Sequence, residues 1–258
     1  MKVRQLLLIT TVLMLLSACI APIQAPPSEH ADHDMPEQLG TVDFPVSCTP
    51  EAQAEFNHGA ALLHSFVFGP AIQSFTKVTE LDPTCGMGHW GVAMSLLGIP
   101  WSPTPEQALV DGLAAVEKAA VAGAQTPREQ AYIVAITAFF TDADTLDHPT
   151  RAKAYGAAMA QLAQDYPDDS EAQIFYALAL NMTADRADKS YANQRKAIEI
   201  LEPIFLQQPD HPGVTHYLIH SNDYPALAAE GLDAALRYAE IAPSAPHALH
   251  MPSHIFTR

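Results

Sequence analysis

Two short stretches carry residues that could do chemistry. His216-Tyr-Leu-Ile-His220 is echoed by His250-Met-Pro-Ser-His254, with both histidines displaced by 34 residues. Pro209 and Pro212 keep the same register and return as Pro243 and Pro246. Imidazoles four residues apart share one face of a helix, so the echo puts four of them at equivalent places on two neighbouring helices. Neutral imidazole suits Zn or Cu, and His247 lies close enough in the loop before the second pair to join or replace a ligand. His211, one unit earlier, is read as capping a turn. Three readings fit this pattern. One is a divalent metal site on His216, His220, His250 and His254. Another is a polar groove holding a peptide or small anion, and the third is a structural ladder satisfied by Asn222, Asp223 and Ser253. Catalysis would require an open metal position and a general base. The nearest acids, Asp223 and Glu230, sit in no motif, and no Ser-His-Asp, Cys-His, P-loop or His-Glu-x-x-His arrangement occurs. No catalytic residue is assigned.

The elements that must position these rings follow from periodicity. In residues 52–85, Gly59, Ala71, Phe75 and Pro83 stand at the eighth, twentieth, twenty-fourth and thirty-second places of a 34-residue unit. Small residues where helices touch, an aromatic between them and a closing proline make this unit resemble a tetratricopeptide (TPR) repeat, a helix pair. Gly86-Met-Gly-His-Trp-Gly91 matches the dinucleotide fingerprint only superficially, because it follows a helix-ending Asp82-Pro83 rather than a strand. Its glycines are read as close-packing sites. Thr126-Pro-Arg-Glu129 is a helix start of capping-box type. Further helices are expected over 106–122, 127–140, 150–166, 170–182, 191–208 and 227–241. The fold class is all-α: a right-handed TPR-like α-solenoid of about five helix pairs plus one further helix. The chain stops inside the sixth unit without a polar cap, so a fragment of a longer protein is expected. In TPR proteins the register places of His216, His220, His250 and His254 face the concave groove, and the resemblance puts all four there. His58 is expected to be buried and hydrogen-bonded. His64 and His89 would line the groove far from the later cluster.

The N-terminus reads as an address. Met1, Lys2 and Arg4 precede an apolar run too short to favour a permanent membrane span. Leu16-Ser-Ala-Cys19 resembles the bacterial lipobox, which implies a signal peptide over 1–18 and lipidation of Cys19. Residues 19–43 are rich in Pro, Ala and acidic residues and read as a disordered tether, with the repeat domain over 44–258. Without Lys2 and Arg4, 11 basic residues face 29 acidic ones, a formal charge of −18. That balance excludes nucleic-acid binding as a main role. Cys48 and Cys85, 37 residues apart near the same edge of the first helix pair, are expected to form a disulfide in an oxidising compartment.

The blocks Phe56-Asn-His-Gly59, His89-Trp-Gly-Val-Ala-Met94, His211-Pro-Gly-Val-Thr-His216-Tyr-Leu-Ile-His220 and Pro246-His-Ala-Leu-His250-Met-Pro-Ser-His254-Ile-Phe256 resemble a family of exported bacterial TPR proteins. The family has no established activity. The lipobox-like Leu16–Cys19, followed by Ile20 rather than Asp, resembles lipoproteins sent to the outer membrane, which implies a cell-envelope lipoprotein facing the periplasm. The function expected is a binding or scaffold protein that takes a polypeptide partner in its groove. The alternative is a metal-binding (Zn or Cu) or metal-dependent protein built on the duplicated His-x3-His.

Overall fold

Capping side chains and prolines divide the chain into helices at the expected places. The computed structural model describes residues 36–258, and Glu37–Arg258 forms one contiguous unit. The signal peptide and Cys19 lie outside the described residues, as does most of the tether. Thr49 accepts from the Ala52 amide and opens α1 (Pro50–His64), which is followed by α2 (Phe68–Leu81). The next helices are α3 (Gly86–Leu97), α4 (Glu106–Ala122) and α5 (Pro127–Phe140), the last capped by Thr126. Asp147 caps α6 (His148–Asp165), Asp169 caps α7 (Ser170–Met182), and α8 (Ala192–Gln207) follows. In each cap a side-chain oxygen satisfies helix N–H groups that have no intrahelical acceptor. The capping box at Thr126 forms only in part. Glu129 turns away from the Thr126 amide and accepts from the amides of Ser47 and Gln125 instead.

His211 opens α9 (Pro212–Asn222) by accepting the Gly213 and Val214 amides on Nδ1. A 3₁₀ turn (Ala228–Gly231) leads to α10 (Leu232–Ile241), splitting the single helix expected there. The sixth unit begins with two short helices, α11 (Pro246–His250) and α12 (Pro252–Phe256). Pro252 has no N–H to donate, which breaks what would otherwise be one helix. The architecture is therefore all-α, with five successive helix pairs and the start of a sixth, and no strand forms among the described residues.

Small residues bring the helices together. A Cβ on Gly91 would overlap the ring of Phe75, and one on Gly86 would overlap the carbonyl of Gly123. These glycines are packing sites, as their place after a helix-ending proline predicts. The first helices of successive pairs, α1, α3, α5 and α7, contribute Phe56, Trp90, Tyr132 and Phe175 to one aromatic core. All four rings lie within 6.4 Å, centroid to centroid, of Phe44, which is fully buried.

Phe44 opens the expected repeat domain, directly after the segment read as tether. Residues 37–43 are instead laid along the repeats. The Gln38 amide donates to Ser244 Oγ, and the Thr41 amide donates to the Asp210 carbonyl at 2.9 Å. Leu39 and Val42 are buried. The expected boundary at 43 is thus too late, because burial of these apolar side chains and backbone pairing to the fifth pair offset the ordering entropy. Cys48 and Cys85 are disulfide-bonded with Cα atoms 5.3 Å apart, anchoring the end of this strap to the start of α3.

The fifth pair closes back on the first. α9 of the fifth pair packs against α1 of the first as well as against α7, α8 and α10. Replacing Phe44 with alanine is expected to lower unfolding free energy by about 3–5 kcal/mol, the usual result of emptying a buried aromatic site. Urea unfolding followed by circular dichroism checks this, with a lowered midpoint expected.

Candidate functional site

The site forms where the end of α1 meets α9. At that end the Phe66 amide bonds the Leu63 carbonyl and the Val67 amide bonds the Leu62 carbonyl, a Schellman closure. The left-handed position in such a closure usually belongs to glycine, yet it is Phe66 that adopts it, with φ +55°. Its ring centroid lies 4.4 Å from that of His216, 5.3 Å from His247 and 6.0 Å from His220. The same turn leaves the His64 carbonyl, one of the last of α1, without an intrahelical partner.

His216 uses that carbonyl. It is fully buried, stacks on Tyr238, and donates Nδ1–H to the His64 carbonyl at 2.6 Å. A carbonyl only accepts, so the proton of neutral His216 sits on Nδ1 and its Nε2 presents a lone pair. That nitrogen faces His247 Nε2 at 3.0 Å. His220, one turn along α9, packs edge-on to Trp101 at 4.4 Å, and its Nε2 is buried with no partner among the described residues. One ligand atom from each of His216, His220 and His247 falls within 4.8 Å of the others. Tetrahedral Zn–N bonds of 2.0–2.1 Å space their nitrogens by about 3.4 Å, so small ring rotations bring the three to one ion.

Burial keeps these rings neutral. His216 and His220 are pushed well below the usual imidazole range, first by burial and then by neighbouring imidazoles. His247 falls to about 4, again through burial first and then His250 and His254. Neutral imidazole is the form that binds metal.

The second His-x3-His does not mirror the first. The break at Pro252 turns His250 and His254 away from His216 and puts His247 there instead. His254 donates Nδ1–H to Asp223 Oδ2 at 2.8 Å, and its Nε2 faces His250 Nε2 at 3.0 Å. The cluster grades from buried His216 through half-buried His220, His247 and His254 to exposed His250. Of the four rings expected in a concave groove, the placement of His216 is corrected, because it is fully buried against α1 and Phe66. On its open side the cluster meets a cavity of about 750 Å³ lined by Trp101, His148, His220, Asp223 and His254. Of the ladder partners expected, Asp223 serves His254, whereas Asn222 donates to the Leu218 carbonyl of its own helix.

Sequence reasoning missed a second group. His64 is not remote from the later histidines. Its Nε2 bonds Glu171 Oε2 at 2.9 Å, and its Nδ1 bonds the Tyr217 hydroxyl at 3.0 Å. His211 Nε2 bonds the other carboxylate oxygen at 2.9 Å. Because His211 Nδ1 accepts two backbone amides, Nε2 carries its proton and donates. Burial alone would raise the Glu171 carboxyl, but His64 and His211 outweigh it and hold the group well below the usual carboxylate range. The ligand atoms of His64, Glu171 and His211 lie close enough together for an ion. However, the His64 and His211 nitrogens already have hydrogen-bond partners, and the group is read as a brace that fixes His64 and so its carbonyl. His58 is half-buried and bonds Ser74 and Glu37, and has no part in the site.

No protein-family model matches the sequence, and no curated protein matches it. A solved structure of YrrB, described as a TPR protein with an unusual peptide-binding site, superposes with a TM-score of 0.39 at 15% identity, over 78% of this chain and 92% of that one. A likeness at that level says nothing about what this chain binds.

The lowered pKa values of His216, His220 and His247 give a pH dependence of definite sign. In the unfolded chain each ring titrates near 6.5. Above that pH both states are neutral, and below it only the unfolded chain gains protons. Stability is expected to hold down to about pH 6.5 and then fall toward pH 4, with each ring contributing at most about 1.4 kcal/mol per pH unit. Thermal unfolding between pH 7.5 and 4.5 measures this, and the slope is expected to be shallower in His247→Gln.

Proposed function

We propose that this chain is a metal-binding helical-repeat protein whose His216, His220 and His247 hold a divalent transition-metal ion beside the cavity. One observation carries the reading: the His64 carbonyl commits His216 Nδ1–H, so that Nε2 presents its lone pair toward His247 Nε2 at 3.0 Å. A hydrogen bond on the far nitrogen is how proteins orient metal-ligating imidazoles. Three imidazoles suit Zn or Cu. For Zn, three protein ligands leave a fourth position that an exchangeable ligand from the cavity can take. The disulfide between Cys48 and Cys85 supports an oxidising compartment. With the lipobox-like Leu16–Cys19, it favours a lipid-anchored protein of the bacterial envelope.

A scaffold role for a polypeptide partner is the second reading. It is favoured by a larger cleft of about 900 Å³ at the loop edge, lined by Asp43, Asp165, Asp168, Asp169 and Asp210 with Arg128. A basic segment suits that surface, which lies apart from the lone pairs of the histidine cluster.

Titration of chelator-treated protein with Zn(II) against a chromogenic chelator tests the metal reading. Tight uptake is expected in the unaltered chain, weakened about 100-fold or more in His216→Ala, with His58→Ala unchanged. Failure of the unaltered chain to take up Zn(II) or Cu(II) would remove the proposal.

A further inference from the structure

The cluster contains the same arrangement twice. His216 spends Nδ1–H on an oxygen acceptor and faces His247 Nε2 with its own Nε2 at 3.0 Å. His254 likewise spends Nδ1–H on Asp223 Oδ2 and faces His250 Nε2 at 3.0 Å. In each case the neutral form of one ring presents an unprotonated Nε2, and a second ring places its own Nε2 within hydrogen-bond distance of it. We infer that His250 and His254 form a second divalent-cation position, oriented by Asp223 and distinct from the one on His216, His220 and His247.

The chemistry of this donor set supports an ion more than a plain hydrogen bond. A carboxylate behind an imidazole both fixes its ring and raises its basicity toward a metal. Asp223 is itself held by Arg258, whose Nε donates to Oδ1 at 2.7 Å, so the carboxylate oxygen facing His254 has a fixed direction. His250 is exposed and half-buried His254 lines the 750 Å³ cavity, so an ion here would complete its coordination from solvent or from a ligand in that space. The two positions adjoin through His220, whose ring centroid lies 6.1 Å from His247 and 6.0 Å from His254. The first position is enclosed and has three imidazoles. The second has two and is open, and it should bind more weakly and exchange faster. Paired ions at one cavity wall are an arrangement that can hold a bridging oxyanion from both sides.

The inference uses separate ligands but rests on reading the cluster as a metal site, and stoichiometry separates the two claims. Elemental analysis after equilibrium dialysis of the whole chain against graded Zn(II) is expected to give two ions per chain, in a tighter and a weaker class. His250→Ala should abolish the weaker class alone. Asp223→Asn, which keeps the shape but weakens the acceptor, should loosen it about 10- to 100-fold. His216→Ala should remove the tighter class alone. Circular dichroism melts at pH 7.5 confirm that the variants fold, and exposed His250 makes its variant the least disruptive. A single ion that His216→Ala removes and His250→Ala retains would overturn the second position and leave the first standing. No bound ion at all would remove both.

Discussion

Everything at the site depends on how His64 is held. Its ring is gripped from two sides, by Glu171 on Nε2 and by the Tyr217 hydroxyl on Nδ1, and it stacks on Phe175 at 4.7 Å. Gly213 lets α9 come close enough for this, since a Cβ there would overlap the His64 ring. Burying an ionised carboxylate is costly, and well-packed apolar residues often serve stability as well or better. Placement is a better account of the network than stability. It joins α1, α7 and α9, which come from the first, fourth and fifth pairs. By fixing the ring it also fixes the carbonyl that selects the tautomer of His216. Glu171 sits in the first turn of α7, where the helix dipole favours its charge.

Phe66 shows a similar concession to the site. A left-handed backbone in a non-glycine residue costs on the order of 1–3 kcal/mol, and such strain gathers where function over-determines the structure. Glycine would close α1 at that position without strain. It would also remove the ring that packs against three imidazoles. The strain is tolerated in a turn whose other end is pinned by the buried brace, so the same contact that closes the repeats holds the strained residue in place.

Much of the fold was legible because repeats are local. Helix starts at Thr126 and Asp169, helix ends at Pro83, Pro167 and Pro209, and the packing glycines around Phe75 all follow from neighbours in sequence. The 34-residue echo located the histidines for the same reason. Closure was not legible. Register says which helices are adjacent, but curvature accumulates from small rotations at every interface, and nothing local reports that the first and fifth pairs meet. His64, Glu171 and His211 were therefore missed as a group, although His211 was rightly read as a cap. The exchange of His247 for His250 and His254 beside His216 was half visible. Pro252 announced a break, but the direction in which the broken helix turns depends on packing against α10. The strap left only a faint trace, with Val42 and Phe44 alternating with polar Thr41 and Asp43 across the expected boundary.

Burial has two consequences at this cluster, and they act in the same direction. It strips imidazoles of protons, so that at neutral pH His216, His220 and His247 offer lone pairs rather than positive charges. It also makes an unpaired nitrogen expensive, at about 1–3 kcal/mol for a buried acceptor left without a donor. His220 Nε2 is a buried ring nitrogen with no hydrogen-bond partner among the described residues. A fold selected only for stability would give it a hydroxyl or an amide, and the neighbourhood contains both residue types in Ser221 and Asn222. Ser221 instead donates to the Tyr217 carbonyl and Asn222 to the Leu218 carbonyl, each within α9. The donors at hand are spent on backbone, so His220 Nε2 is left without a partner while His216 Nε2 and His254 Nε2 meet only other imidazoles. That arrangement favours the proposed cation as the missing partner.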